Sequence, residues 1–215
     1  MRRFIYPSLL SPCPPSTLSV DNQFAFRPSG STTAALIATL KHISDLLESS
    51  PYVHLIALDF SKAFDTVRHA TLFDKLAQFP LPDCIFNWLV RFFSGRSHQT
   101  KFCNATSSPS IISASVIQGS AVGPAAFIVN ASDLFPSSPG NVLVKYADDV
   151  FLIVPSSLTY TIPAELAHIS SWATTNNLRL NPTKTHELLV SPRGPRRDHH
   201  IPLPPPSLES RGSTP

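Results

Sequence analysis

A chain of 215 residues can bury one substantial core, and 42% hydrophobic against 14% charged residues excludes an intrinsically disordered protein. Cys13, Cys84 and Cys103 are odd in number and widely spaced, which argues against a disulfide framework or a zinc site and for a reducing, intracellular compartment, nuclear or cytoplasmic. A net charge of +3 is too mild to identify a polyanionic partner. No membrane span is visible, because the longest apolar run is broken by Lys145 and two aspartates, and MRRFIYPSLLSPCPP lacks the apolar core of a signal peptide.

The 22 prolines concentrate at the ends. Residues 1–19 and the Pro/Arg-rich tail 193–215 read as extended or disordered, which leaves 20–192 as the ordered region. Within it, Leu36, Ile37, Leu40, Ile43, Leu46 and Leu47 recur at helical spacing, with Ser29 or Ser31 as N-cap, and predict a helix of about four turns. VHLIALDF (53–60) reads as a mostly buried strand finishing at Asp59. A helical stripe Leu72, Phe73, Leu76 and Phe79 follows, then a helix from Asp83 to Ser94 with Gly95 just past its end. Strand-like stretches lie near 98–103 and 110–117. QGSAVGPAAFIVNASDLF begins as a glycine turn and continues as a helix with Pro124 early in it. VLVKYADDVFLIV (142–154) reads as a hairpin with Asp148 and Asp149 at its tip. Pro163 leads a helix carrying Leu166, Ile169 and Trp172, closed by Asn176-Asn177, and a last strand covers 185–190. Strands and helices mix without a βαβ repeat, so the expected class is α+β, a sheet with helices on one side.

Asp-Asp suits a hairpin turn poorly, since the favoured two-residue turns need positive φ and adjacent carboxylates repel. With Asp59 closing an earlier strand, three carboxylates would converge if those strands were neighbours. Hard oxygen donors of this kind suit Mg²⁺, and two such ions about 3.5–4 Å apart can stabilise an in-line phosphoryl displacement. Taken singly, Asp148-Asp149 reads first as a solvated surface turn and Asp59 as a helix cap or turn former, and only their combination favours a site.

The combination is specific. QFAFRPSGSTTAAL (23–36), LIALDFSKAFDTVRHATLFDKL (55–76), VIQGSAVGPAAFIVNASDL (116–134), KYADDVFLIV (145–154) and NNLRLNPTKTHELLV (176–190) resemble, in order and spacing, successive motifs of the reverse transcriptase of non-LTR (LINE-type) retrotransposons. The resemblance implies a polymerase palm with an antiparallel sheet, packed helices and partial fingers. It implies addition of dNTPs to a primer 3′ end on an RNA template, with two Mg²⁺ ions, Mn²⁺ being able to substitute.

Residue by residue, the resemblance implies metal-holding catalytic roles for Asp59, Asp148 and Asp149, with the Phe60 carbonyl as a further ligand. Phe64 falls where the family places the aromatic that abuts the sugar 2′ position; the competing reading is a core aromatic. Gln118 and Gly119, with Ser120, match the turn that touches the incoming nucleotide. Lys184 matches a lysine that assists pyrophosphate departure, against a merely solvated side chain. Arg27 is read either as a nucleic-acid backbone contact or as a structural ion pair. Trp88 and Trp172 are expected in the core, and His199 and His200 carry no metal reading.

Nothing before residue 20 resembles the rest of the fingers, and nothing after 192 resembles a primer grip or thumb. The expectation is a truncated reverse transcriptase domain whose partners are RNA template, DNA primer and dNTPs, with no membrane and an unspecified oligomeric state. Missing phosphate contacts weigh against activity of the fragment. The alternative is a catalytically dead retrotransposon relic, at most a weak nucleic-acid-binding module. An RNA-dependent RNA polymerase or a carboxylate-metal nuclease ranks third, and Phe64 speaks against ribonucleotide use.

Overall fold

Runs of β-branched and aromatic residues form the strands of one antiparallel sheet: β1 (Val53–Leu58), β2 (Val142–Tyr146), β3 (Asp149–Pro155) and β4 (His186–Val190), in the spatial order β2-β3-β1-β4. The computed structural model describes residues 18–27, 29–117 and 119–192. Nearly all of both expected Pro-rich flanks, with Gln118, His199 and His200, therefore lie outside the described residues. β1 is central, pairing Leu58 with Val150 on one side and Ala57 with His186 on the other.

Alternation along the strands separates two cores. Ile56, Leu58, Leu143, Val150, Leu152 and Val154 face helices α3 (His69–Leu76), α4 (Asp83–Phe93), α5 (Gly123–Asn130) and α6 (Ile162–Thr175), which contribute Leu72, Leu89, Phe93, Phe127 and Ile169. Val53, Val144 and Ile153 face the other way, against Ala35 and Ile43 of α1 (Thr32–Leu47). Helices thus cover both faces, not one as expected from the sequence. A strand buried on both sides reads as a continuous apolar run, and VHLIAL is such a run.

α1 begins as expected at Ser31, whose Oγ accepts the Ala34 N–H at 3.0 Å. Its buried face is set by the sheet: Ala35, Thr39 and Ile43 point inward, while Leu36, Ile37 and Leu40 are 58%, 60% and 56% exposed. The small Ala35 and Thr39 let the helix lie close on the sheet, which bulkier residues at those positions would prevent. Gly95, at φ +66, ends α4 as expected. The stretch 98–117 yields only two dipeptide ladders, Ser97–His98 with Ser110–Ile111 and Lys101–Phe102 with Ala105–Thr106. Residues 113–116 are instead pinned to the backbone around the four-residue helix α2 (Ala63–Thr66), where the Val116 N–H donates to the Phe64 carbonyl at 2.8 Å. Among the described residues no helix is long and apolar enough to cross a membrane.

The hairpin departs from expectation at its tip. Tyr146 pairs with Asp149, so the two turn residues are Ala147 and Asp148, and Asp149 opens β3. Ala147 adopts φ 55, a left-handed conformation that costs a non-glycine residue about 1–2 kcal/mol. Buried Gln23 offsets that cost. Its Oε1 accepts the Ala147 N–H at 2.9 Å and the Ala25 N–H at 2.9 Å, and its Nε2 donates to the Ala147 carbonyl at 3.3 Å. Residues 22–24 also run beside β2, exchanging backbone hydrogen bonds of 2.8 Å with Lys145 on either side. Gln23→Leu strands two buried N–H groups and is expected to lower unfolding free energy by about 2–4 kcal/mol in urea titrations; a loss under about 0.5 kcal/mol would show that the turn holds itself.

Lys145 is fully buried, its Nζ donating to the Ala131 carbonyl at 2.6 Å and the Leu134 carbonyl at 3.1 Å. Burial pushes its ammonium down to about 7, with Asp133 opposing and Lys75 adding to the shift. Because this folded-state value lies below that of the unfolded chain, the unfolded chain binds more protons between them. Stability therefore rises with pH from about 7 towards about 10, by up to about 1.4 kcal/mol per pH unit from this group. In urea titrations across that window, Lys145→Met is expected to show a correspondingly shallower rise than wild type. Parallel curves would refute the assignment.

Candidate active site

β1 ends at Leu58, and its register, continued by one residue, sets Asp59 opposite Asp149. The Asp59 carbonyl accepts the Asn181 N–H at 2.8 Å, and the Ser61 N–H donates to the Arg179 carbonyl at 2.8 Å. The intervening Phe60 peptide groups therefore point away from Arg179–Asn181, towards the β3 side, as antiparallel alternation requires. Lys62, at φ 51, then turns the chain into α2, which carries Phe64.

Asp59, Phe60, Phe64, Asp148, Asn181 and Lys184 are among the residues lining an open cleft of about 440 Å³. Lys184 Nζ stands 3.6 Å from Asp59 Oδ2, and Asn181 Nδ2 donates to the same oxygen at 3.3 Å. Asn181 also caps the 3₁₀ turn Pro182–Lys184, its Oδ1 accepting the Thr183 N–H at 3.2 Å. Asp148 is half-buried at the hairpin turn and faces the cleft; Asp149 is exposed on the strand beside it. The Asp149 carboxyl is pushed up, first by partial desolvation and then by Asp148 and Asp59, with Lys184 opposing.

Carboxylate oxygens are donors that a hard divalent cation accepts, and Asp59 and Asp148 already share a cleft. Among the described residues, however, no three His, Cys, Asp or Glu side chains converge as a ready ligand set. The donors fit Mg²⁺ in kind, while Asp59 is engaged by the Lys184 ammonium.

Phe64 is half-buried, its ring stacked on Phe127 at 4.4 Å between centroids and met edge-on by Phe26 at 6.2 Å. It forms the wall between the acidic cleft and a second one of about 440 Å³, lined by Val116, Ile117, Gly119, Ser120, Gly123 and Pro124. Gly119 sits at φ +76, a backbone state that favours glycine. Ser120 Oγ accepts the Gly123 N–H at 2.9 Å and donates to the Ile117 carbonyl at 2.7 Å, fixing the turn at the start of α5.

Arg27 lines neither cleft. Its Nη1 donates to the carbonyls of Val20, Asp21 and Gln23 at 2.5, 3.2 and 3.0 Å, which ties the loop bearing Gln23 and Phe26. Trp172 packs against the core and donates its indole N–H to Asp133 at 2.8 Å; Trp88 stacks on Phe92. The periodicity and motif order singled out neither Gln23, Phe26 nor Asn181. Only Asn181 left a local signal, as an Asn before proline.

The chain matches the family model for reverse transcriptase (RNA-dependent DNA polymerase) over residues 5–205. It is 29% identical over 177 residues to the probable RNA-directed DNA polymerase from transposon BS of Drosophila melanogaster, covering 77% of this chain and 19% of that protein. It is 29% identical over 174 residues to the RNA-directed DNA polymerase from mobile element jockey of Drosophila funebris, covering 75% and 19%. The chain thus spans about a fifth of the length of the curated relatives it matches. Among solved structures, a telomerase from Candida tropicalis in complex with a TWJ fragment of telomeric RNA superposes with a TM-score of 0.63 at 14% identity, covering 78% of this chain and 30% of that one. The apo form of that telomerase lacking its C-terminal domain gives 0.60 at 14% identity, over 79% and 36%. On these matches the chain belongs to the reverse transcriptase family, in its LINE-type, non-LTR branch.

Proposed function

We propose that the cleft is the nucleotidyl-transfer site of an RNA-directed DNA polymerase, which extends a DNA primer with dNTPs on an RNA template. The observation that carries this reading is that Asp59 and Asp148, from segments far apart in the chain, line one cleft walled by Phe64. Asp59, Asp148, Asp149 and the Phe60 carbonyl would hold Mg²⁺. When bound, Mg²⁺ supplies charge neutralisation at the transferring phosphate and a lowered pKa at the primer hydroxyl.

The chain's own residues do the rest. Phe64, held against Phe127, closes the space that a ribose 2′-hydroxyl needs, and so selects deoxynucleotides. Gly119, with Gln118 beside it, lets the nucleotide approach the backbone closely in the second cleft. Lys184 presents an ammonium over the acidic cleft, placed to protonate the departing pyrophosphate. Arg27 acts through the loop that it ties rather than on nucleic acid.

Primer extension on an RNA template is expected from the wild-type chain, and Asp148→Asn or Asp59→Asn is expected to reduce it at least about a hundredfold. Equal background from all three proteins would sink the proposal. Weak, salt-sensitive nucleic-acid binding indifferent to both substitutions would then favour an inactive binding module. Phe64→Ala is expected to raise ribonucleotide over deoxynucleotide incorporation about tenfold or more. An unchanged ratio would leave Phe64 with packing alone.

A further inference from the structure

We propose that Lys184 is the internal counter-ion of Asp59: its ammonium neutralises that carboxylate while no divalent cation is bound, and releases it when one binds. The inference rests on reading the cleft as a metal-binding polymerase site. At 3.6 Å the Lys184–Asp59 pair lies beyond hydrogen-bonding distance, so the attraction is Coulombic. The Lys184 side chain is 67% exposed and that of Asp59 22% exposed, so the lysine leaves at little cost, whereas the carboxylate stays anchored in the sheet.

Two features make this pair a device rather than an ordinary surface contact. First, Asp59, Asp148 and Asp149 repel one another, and of the two lysines lining the cleft, Lys62 and Lys184, it is Lys184 that pairs with Asp59 among the described residues. Second, Asn181 joins the partners mechanically. Its N–H is bound to the Asp59 carbonyl, its Nδ2 to Asp59 Oδ2, and its Oδ1 to the turn that carries Lys184. Asn181 is therefore a positioning residue, which keeps the lysine within reach of the cleft after the ion pair opens. Replacement by the cation at Asp59 shifts the Lys184 ammonium towards the free state in which it can meet a leaving diphosphate. The Asp59 charge is thus offset in both states, by the lysine first and then by the cation, and metal loading frees the general acid.

The test uses Mn²⁺ binding followed by electron paramagnetic resonance, and acylation of lysine amines read by mass spectrometry with and without Mg²⁺. Lys184→Met is expected to bind Mn²⁺ about two- to fivefold tighter than wild type, Lys184→Arg to restore the wild-type value, and Lys62→Met to change it less. Acylation of Lys184 is expected to rise on adding Mg²⁺ to wild type, and to be high and insensitive to Mg²⁺ in Asp59→Asn. Wild-type affinity in Lys184→Met, an effect no larger than that of Lys62→Met, or Mg²⁺-insensitive acylation in wild type overturns the counter-ion assignment alone. No Mn²⁺ binding by wild type, or binding unaffected by Asp59→Asn, overturns the metal-site reading itself.

Discussion

The hydrogen-bonded register of β1 against its two neighbours decides where each charged group of the cleft stands. Pairing with β3 brings Asp59 to the hairpin that carries Asp148 and Asp149, and pairing with β4 brings Asn181 and Lys184 to Asp59 from the other side. Both faces of β1 are buried, so a one-residue slip would still cover apolar side chains, and polarity alternation alone would not forbid it. His54 does. Its buried ring has Nδ1 2.5 Å from Glu187 Oε1 on β4 and Nε2 3.2 Å from Thr159 Oγ1 after β3. A slip in either direction would leave that imidazole buried without partners, at a cost of several kcal/mol.

Behind the cleft, two buried lysines solve a different problem. The Asn130 carbonyl ends α5 and the Ala131 and Leu134 carbonyls follow it, beyond the reach of the helical hydrogen-bond ladder, and no glycine cap follows the helix. Lys75 donates to the Asn130 carbonyl at 2.5 Å and Lys145 to the Ala131 and Leu134 carbonyls, each from an element distant in sequence. The negative end of the helix dipole favours cations there. Lys75 is further met by Asp133 and Asn176 at 2.6 Å, which couples α3 and the end of α6 to the same point. These ammonium groups are thus structural, and they brace α5, whose Phe127 supports Phe64, and β2, which leads into the acidic turn.

Local patterns made most elements legible. The β1 run, the stripe of α4 with its terminal Gly95, Pro163 at the start of α6 and the last strand all express a periodicity or a stop signal that the fold leaves intact. The face of α1 was not legible, because its apolar residues satisfy helical spacing on two sides and only the sheet selects Ala35, Thr39 and Ile43. The turn at Ala147 and Asp148 was not legible either. Alanine in a left-handed state has no local justification and depends on Gln23, over a hundred residues earlier in the chain.

By itself, the sequence determined the α+β class, the order of the elements and the presence of three carboxylates in the motif order of a polymerase palm. Those properties follow from residue type and short-range spacing. Only the tertiary structure decided that Asp59 and Asp148 share a cleft, that Phe64 divides it from a second one, and that Lys184 and Asn181 meet the same Asp59 oxygen. Such contacts arise from strand register and from side chains far apart in the chain, which no local periodicity encodes.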